Sequence, residues 1–267
     1  MANLKFGAYG LGTVTSKNIS SFGGTINGYF LRSFGWSNIE PRKGQFTFTT
    51  LDNAIDDCVN ADVYMGLMVA VGPNSPVWVY TSGVPKVYVT GQNSLQASYY
   101  PYYLDPDYQR YTENMWTQVA NHIAGWSSER KAHLAWWQSA EGSTGDAGPY
   151  HGDPKDSSYN ISTNEWNVEK HRIWNLLAGL IGDTTKLLIN TEGDYFNYDW
   201  VTTNLPDAWI KESKQGHFYN YTGEAVVKSL EDVKPPSRDE CEGIPGFNNQ
   251  IHGAMVFSAL TRAGGYS

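Results

Sequence analysis

Four glutamates stand where an apolar segment gives way to a loop. Glu141 closes Trp137-Gln138-Ser139-Ala140-Glu141-Gly142, Glu192 sits in Thr191-Glu192-Gly193-Asp194, Glu212 follows Lys211, and Glu224 ends His217-Phe218-Tyr219-Asn220-Tyr221-Thr222-Gly223-Glu224. Asp146 and Asp194 lie in the same loops. Two carboxyl groups facing one bond can split a glycosidic linkage: one protonates the leaving oxygen, and the other attacks the sugar or activates water. Each must be held within about 0.5 Å of its working position, which favours rigid strand ends over mobile loops.

The elements that could hold such groups alternate along the chain. Tyr29 to Trp36 reads as a strand, and after a Pro/Gly turn Leu51, Ile55, Cys58 and Val59 fall at helical spacing. Val63 to Val71 is a nearly continuous apolar run, the pattern of a strand buried on both faces. An aromatic, Gly- and Pro-rich stretch from Gly72 to Leu104 is expected to be a long loop. Asp105-Pro106 supplies a cap and a first-turn proline for a helix whose stripe is Tyr108, Tyr111, Met115, Val119, Ile123 and Trp126. His133 to Gln138 is the next strand; Ser162 with Glu165 forms a capping box opening a helix through Ile173, Leu177, Leu180 and Ile181. Lys186 to Asn190 is another buried strand, followed by short strands at Ala208–Lys211 and Gly216–Asn220. A last helix is expected over Phe247, Ile251, Ala254, Met255 and Leu260, stopping at Gly264-Gly265.

Strand–helix alternation with crossovers of this length implies a parallel sheet. Polar and acidic residues cluster at the C-terminal ends of these strands, where a (β/α)8 TIM-type barrel keeps its chemistry. A doubly wound sheet is the competing architecture, but no Gly-rich dinucleotide fingerprint follows an early strand. The expected fold is therefore α/β, one barrel domain spanning residues 1–267. With a helix expected at its end, the barrel would lack its last strand or strands.

Composition narrows the function classes. Aromatic residues reach 14%, with 10 Trp and 18 Tyr, and such rings can stack on the apolar face of a pyranose. Most large aromatics simply fill cores and rims. A formal charge of −8 without basic clusters argues against a nucleic-acid partner. No run of 18 apolar residues exists to cross a membrane. The N-terminus Met1-Ala2-Asn3-Leu4-Lys5 lacks an apolar signal core, so the chain is either cytoplasmic or secreted or periplasmic with its leader removed. The two cysteines, Cys58 and Cys241, could pair or stay free; Cys58 falls at a core-facing helical position, which favours a buried free thiol. No metal or cofactor ligand set is visible.

Glu141 is the sharpest signal, because it follows an aromatic strand and precedes the flexible Gly142-Ser143-Thr144-Gly145-Asp146. Gln138 could contact sugar or orient the acid, or be a polar strand residue bonded to backbone. Glu224 lies roughly three barrel units beyond Glu141, at about 25–30 residues each. It is also a good first-turn acid for a helix through Val226, Val227 and Leu230. Glu192 sits only one unit beyond Glu141, which suits binding better than attack, and Glu212 reads as an ion-paired strand end. His217 and Tyr219 could brace Glu224 or fill the core. His151, in His151-Gly152-Asp153-Pro154, could touch sugar, although the composition is that of a plain turn. Trp36, Trp78, Tyr80, Trp137, Tyr195 and Tyr198 are stacking candidates, the loop residues more credibly than Trp137.

Trp36-Ser37-Asn38-Ile39-Glu40-Pro41-Arg42-Lys43-Gly44-Gln45-Phe46-Thr47-Phe48, followed by Leu51-Asp52, resembles the W-x-x-[IL]-E-P-x-x-G-x-[FY]-x-[FW]-x-x-[LI]-D segment of clan A retaining glycoside hydrolases. It is most similar to family 42-type β-galactosidases and related marine galactan-degrading enzymes of the agarase, porphyranase and carrageenase kind. The resemblance runs on in order to about Leu260. It implies a retaining hydrolase of β-linked carbohydrate, without cofactor, in which Glu141, after the fourth barrel strand, is the acid/base and Glu224, after the seventh, the nucleophile. Glu40 would be a turn-stabilising acid. The family usually carries Asn before the acid/base; Ala140 stands there instead, which leaves open a catalytically inactive carbohydrate-binding protein on the same scaffold. A lyase or metal-dependent hydrolase on a barrel is the third reading.

Overall fold

The computed structural model of the chain describes residues 8–11, 28–90, 97–142, 148–191, 195–211, 254–256 and 259–261. Its framework is a run of strands, each followed by helix. Strand β1 (Ala8–Leu11) leads to β2 (Gly28–Gly35), the single turn α1 (Trp36–Ile39) and helix α2 (Thr49–Asn60). Strand β3 (Tyr64–Ala70) is followed by the short helix α3 (Val77–Thr81), a hairpin of β4 (Lys86–Tyr88) and β5 (Tyr99–Pro101), and the long helix α4 (Pro106–Ala124). Helix α5 (Ser128–His133) enters β6 (Leu134–Gln138), then come α6 (Thr163–Leu180), β7 (Lys186–Asn190), α7 (Tyr195–Asn204) and β8 (Trp209–Lys211).

Strands β1, β2, β3, β6, β7 and β8 pair in that order, all parallel. A doubly wound sheet would reverse its strand order at a switch point; this one never reverses. It also curls. Tyr9 on β1 meets Trp136 on β6 edge to face at 5.2 Å although two strands lie between them. Phe30 on β2 closes on the same indole at 4.7 Å. Gly66 on β3 completes the layer, since a Cβ there would come within 2.1 Å of the Trp136 ring. One tryptophan thus fills the lumen where the third strand carries no side chain, the layered filling of a (β/α)8-type barrel. Among the described residues the sheet is not closed; its hydrogen-bonded order ends at β10 (Ala259–Thr261) on one side and β9 (Ala254–Val256) on the other.

Outside the sheet, α2 buries Leu51, Ala54, Ile55 and Cys58 and packs on β2 and β3. Cys58 is the buried free thiol expected, and burial pushes its thiol up to about 12; Cys241 lies outside the described residues. Asp105 caps α4 by accepting from the amides of Asp107 and Tyr108, at 2.9 and 3.0 Å. The Ser162–Glu165 capping box opens α6.

Three expectations need correction. The stretch from Gly72 to Leu104 is not all loop, because α3 and the β4–β5 hairpin interrupt it; both are too short to show a periodicity. Tyr195 and Tyr198 lie on α7, not in a loop. That helix escapes a hydrophobic pattern because Asn197 is wholly buried while Phe196 is 61% exposed. The expected terminal helix is replaced by two strands, β9 (Ala254–Val256) and β10 (Ala259–Thr261). They pair antiparallel with β1 and β8 respectively. The open edges of β1 and β8 carry unpaired amides and carbonyls, and satisfying them outweighs the helical spacing of that segment.

Candidate active site

The segment from Trp36 to Asp52 is a brace at the C-terminal end of β2. Glu40 is buried and accepts two hydrogen bonds, from Trp36 Nε1 at 2.9 Å and from the Gly44 amide at 2.7 Å. Gly44 needs its φ of +75° to close this turn. The Glu40 carbonyl accepts from Trp78 Nε1 at 2.9 Å, which ties α3 to the turn. Glu40 therefore does turn work. At the far end of the motif, Asp52 Oδ1 lies 2.8 Å from both His122 Nε2 and Trp126 Nε1, joining α2 to the end of α4.

Trp36 is fully buried, edge-on to Trp78 at 5.7 Å and tilted against Tyr108 at 6.0 Å. Trp137 is likewise core. Both depart from the stacking role expected of them, because their ring faces are occupied by protein. Trp78 is half-buried, with Lys43 Nζ 5.6 Å from its ring centre, and keeps part of its surface open.

Glu141 follows β6, the fourth strand of the parallel order, and is 2% exposed. Its Oε1 accepts a hydrogen bond from Trp174 Nε1 of α6. Burial raises its carboxyl above the ordinary carboxylate range. The Ser139 hydroxyl, the Trp174 indole, the amide of Glu141 itself and the charge of Lys170 each pull the other way. A carboxyl so placed holds a proton to higher pH than a solvated one, as a general acid requires. Next to it, the Gly142 carbonyl lies against Gly72: a Cβ on Gly72 would fall 2.6 Å from that oxygen and 2.5 Å from Tyr103 Oη. Gly72 also has φ +59°, so the loop after β3 and the loop after β6 meet at a position that only glycine fills.

Gln138 ends β6 beside Met68 of β3 and is buried, with Nε2 3.4 Å from the Met68 sulfur and Oε1 without a partner among the described residues. His151 is half-buried in a turn pinned to β4: the Thr90 amide donates to the Asp153 carbonyl at 2.8 Å, and that of Lys155 to Tyr88 at 2.8 Å. Gly152 takes φ +101° there, as a turn demands. Tyr195 is placed only by its backbone, at the start of α7. Glu192, Glu212, His217, Tyr219 and Glu224 lie outside the described residues.

Lys170 and Trp174 were not legible as site residues. The signal was present as polar and aromatic residues at helical spacing on α6, Asn167, Lys170, His171 and Trp174, a second face beside the apolar stripe. Two surface cavities, of about 410 Å³ at Asn121–Arg130 and about 510 Å³ between the loops preceding β7 and β8, open at the N-terminal ends of the strands, away from Glu141. Among the described residues no helix is long and apolar enough to cross a membrane.

Residues 23–148 match the family model of glycoside hydrolase family 42, described as β-galactosidase, and that stretch includes both the Trp36–Asp52 segment and Glu141. The match covers just under half of the chain and makes that stretch similar to glycoside hydrolase family 42. Among solved structures, the β-galactosidase of the Antarctic haloarchaeon Halorubrum lacusprofundi aligns with a TM-score of 0.48 and 14% identity, over 70% of this chain and 36% of that one. The β-galactosidase of the psychrophilic Marinomonas ef1 aligns with 0.43 and 13%, over 66% and 34%. A family 10 endo-β-1,4-xylanase from Gloeophyllum trabeum aligns with 0.40 and 16%, over 64% and 44%. The chain thus spans less than half the length of each. No curated protein matches it.

Proposed function

We propose that this chain is a single-domain glycoside hydrolase cleaving β-linked galactosides or galactans by a retaining mechanism, with Glu141 as acid/base and Glu224 as nucleophile. The observation that carries this reading is the place of Glu141: a buried carboxyl at the C-terminal end of the fourth strand in an unreversed parallel order, inside the family 42 match. In the first step Glu141 protonates the leaving oxygen as Glu224 attacks the anomeric carbon. In the second, Glu141 takes a proton from water as the glycosyl-enzyme is hydrolysed. Gln138, with a buried amide oxygen lacking a partner among the described residues, suits a sugar hydroxyl near that bond. Trp78, His151, Glu192, Tyr195, His217 and Tyr219 are the further sugar contacts of this reading.

The test is release of nitrophenol from a panel of nitrophenyl β-glycosides, and of reducing ends from agarose, porphyran and carrageenan, by wild type, Glu141→Gln and Glu224→Gln. Turnover lost in both variants, with the product's anomeric configuration retained, supports the assignment; full turnover in Glu141→Gln removes it. Ala140, where the family carries Asn, favours the second reading of an inactive carbohydrate-binding protein. That reading predicts saturable galactan binding by wild type with no release at all.

A further inference from the structure

Trp174 is wholly buried on α6, yet its indole N–H is not spent on a backbone carbonyl; it is donated to the Glu141 carboxyl. Satisfying an indole is not something this fold does everywhere, because the Nε1 atoms of Trp116 and Trp209 are buried without any hydrogen-bond partner. The ring itself is clamped. His171 is tilted against it at 5.4 Å and Trp200 of α7 at 5.9 Å. His171 stacks flat on Trp200 at 3.8 Å and lies 2.9 Å from the Asn197 side-chain oxygen. Asn197 in turn donates to the Asn167 side chain at 3.0 Å, back on α6. Lys170, 4% exposed, completes the face with its Nζ 5.8 Å from the Trp174 ring centre.

We propose that Trp174 is a positioning residue for Glu141, its N–H marking Oε1 as the carbonyl-like oxygen so that the transferable proton resides on Oε2. A protonated carboxyl has one oxygen that carries hydrogen and one that only accepts. A fixed donor on Oε1 removes the alternative in which the proton sits there, and it locks the side-chain rotamer. Trp200, against the indole, and Asn197, against His171, make α7 the outer support of this arrangement, and Lys170 supplies the positive charge that steadies the carboxylate after proton transfer. The proposal rests on the reading of Glu141 as proton donor.

Two replacements separate the donor from the bulk: Trp174→Phe, and Trp174 replaced by β-(3-benzothienyl)alanine, which keeps the bicyclic shape without an N–H. A misplaced acid harms substrates whose leaving group needs protonation and spares those that leave unaided. The expected result is a fall in kcat of about tenfold or more on methyl and unsubstituted phenyl glycosides, with little change in KM and a change below about twofold on the dinitrophenyl glycoside. The basic limb of the pH profile should move to higher pH, since a hydrogen bond favouring the carboxylate is gone. Equal loss on both substrate classes, or no loss on either, overturns the proposal. Glu141→Gln runs in parallel: if it keeps full activity, the proton-donor reading fails by itself. The coupling is then judged by the ¹³C carboxyl titration of Glu141, assigned by its absence in Glu141→Gln. A titration midpoint raised by the benzothienyl replacement supports the Trp174 contact, and an unmoved one refutes it.

Discussion

Replacing Glu40 separates the structural carboxylate of the Trp36–Asp52 segment from any chemical role. Its side chain accepts from Trp36 Nε1 and from the Gly44 amide, at 2.9 and 2.7 Å. Glu40→Ala leaves the Trp36 N–H in a fully buried place without an acceptor, while the Gly44 amide sits in an exposed turn and can reach water. An orphaned buried donor costs about 1–3 kcal/mol, and the lost turn bond about 1 kcal/mol more. The sum is a loss of about 2–4 kcal/mol. Glu40→Gln should cost about half of that, because its amide offers one carbonyl for two donors. Urea unfolding followed by tryptophan fluorescence measures both, as a lower midpoint at unchanged slope. Turnover per folded molecule should stay at the wild-type value. A Glu40→Ala protein within about 0.5 kcal/mol of wild type would refute the brace. A Glu40→Gln protein of full stability but no turnover would place Glu40 in the chemistry instead.

Two further perturbations follow from the geometry. Gly72→Ala adds a methyl 2.6 Å from the Gly142 carbonyl at a φ of +59°, so it should cost about 1–2 kcal/mol in backbone strain and displace the loop that follows Glu141. Turnover should drop on the order of 10²-fold while circular dichroism stays native, and unchanged turnover would uncouple the two loops. Glu141→Gln should raise stability at neutral pH and not at acid pH. Burial raises this carboxyl in the folded state, so the folded chain binds more protons than the unfolded one and stability falls as pH rises from the unfolded value through the folded one. Glutamine has no such penalty and can still accept from Trp174. Thermal unfolding at pH 4 and pH 7 checks it; a stability gap that is equal at both pH values contradicts the sign.

The parts of the fold legible in the sequence are those where one residue pattern serves one local purpose. The run from Val63 to Val71 must be a strand with both faces covered, and β3 is that strand. Ser162 and Glu165 satisfy each other's amides, which the helix itself leaves without a partner, so the start of α6 was readable. Helix α7 was not, because beside the buried Val201 it buries a polar residue, Asn197, held by contacts to α6 that no local pattern announces. The 254–261 segment failed for a related reason. Its spacing is compatible with a helix, but its conformation answers to the open edges of β1 and β8, more than forty residues away.

The same distinction applies inside the site. Glu40 and Glu141 are both buried glutamates at strand ends; Glu40 sits in the more recognisable motif, while Glu141 is the sharper signal for chemistry. What separates them is where their partners come from. Glu40 closes a local turn four residues long, with the indole and the amide it needs both supplied by its own segment. Glu141 is met by the Ser139 hydroxyl and its own amide nearby, by an indole from a helix thirty-three residues away, and by burial that outweighs them and opposes its ionisation. Where burial outweighs the donors around a carboxyl, its proton is held to higher pH than on a solvated one. The aromatic excess that first suggested sugar stacking has the corresponding double use. Trp36, Trp136 and Trp137 fill the core, and Trp174 spends its polar edge on the Glu141 carboxyl.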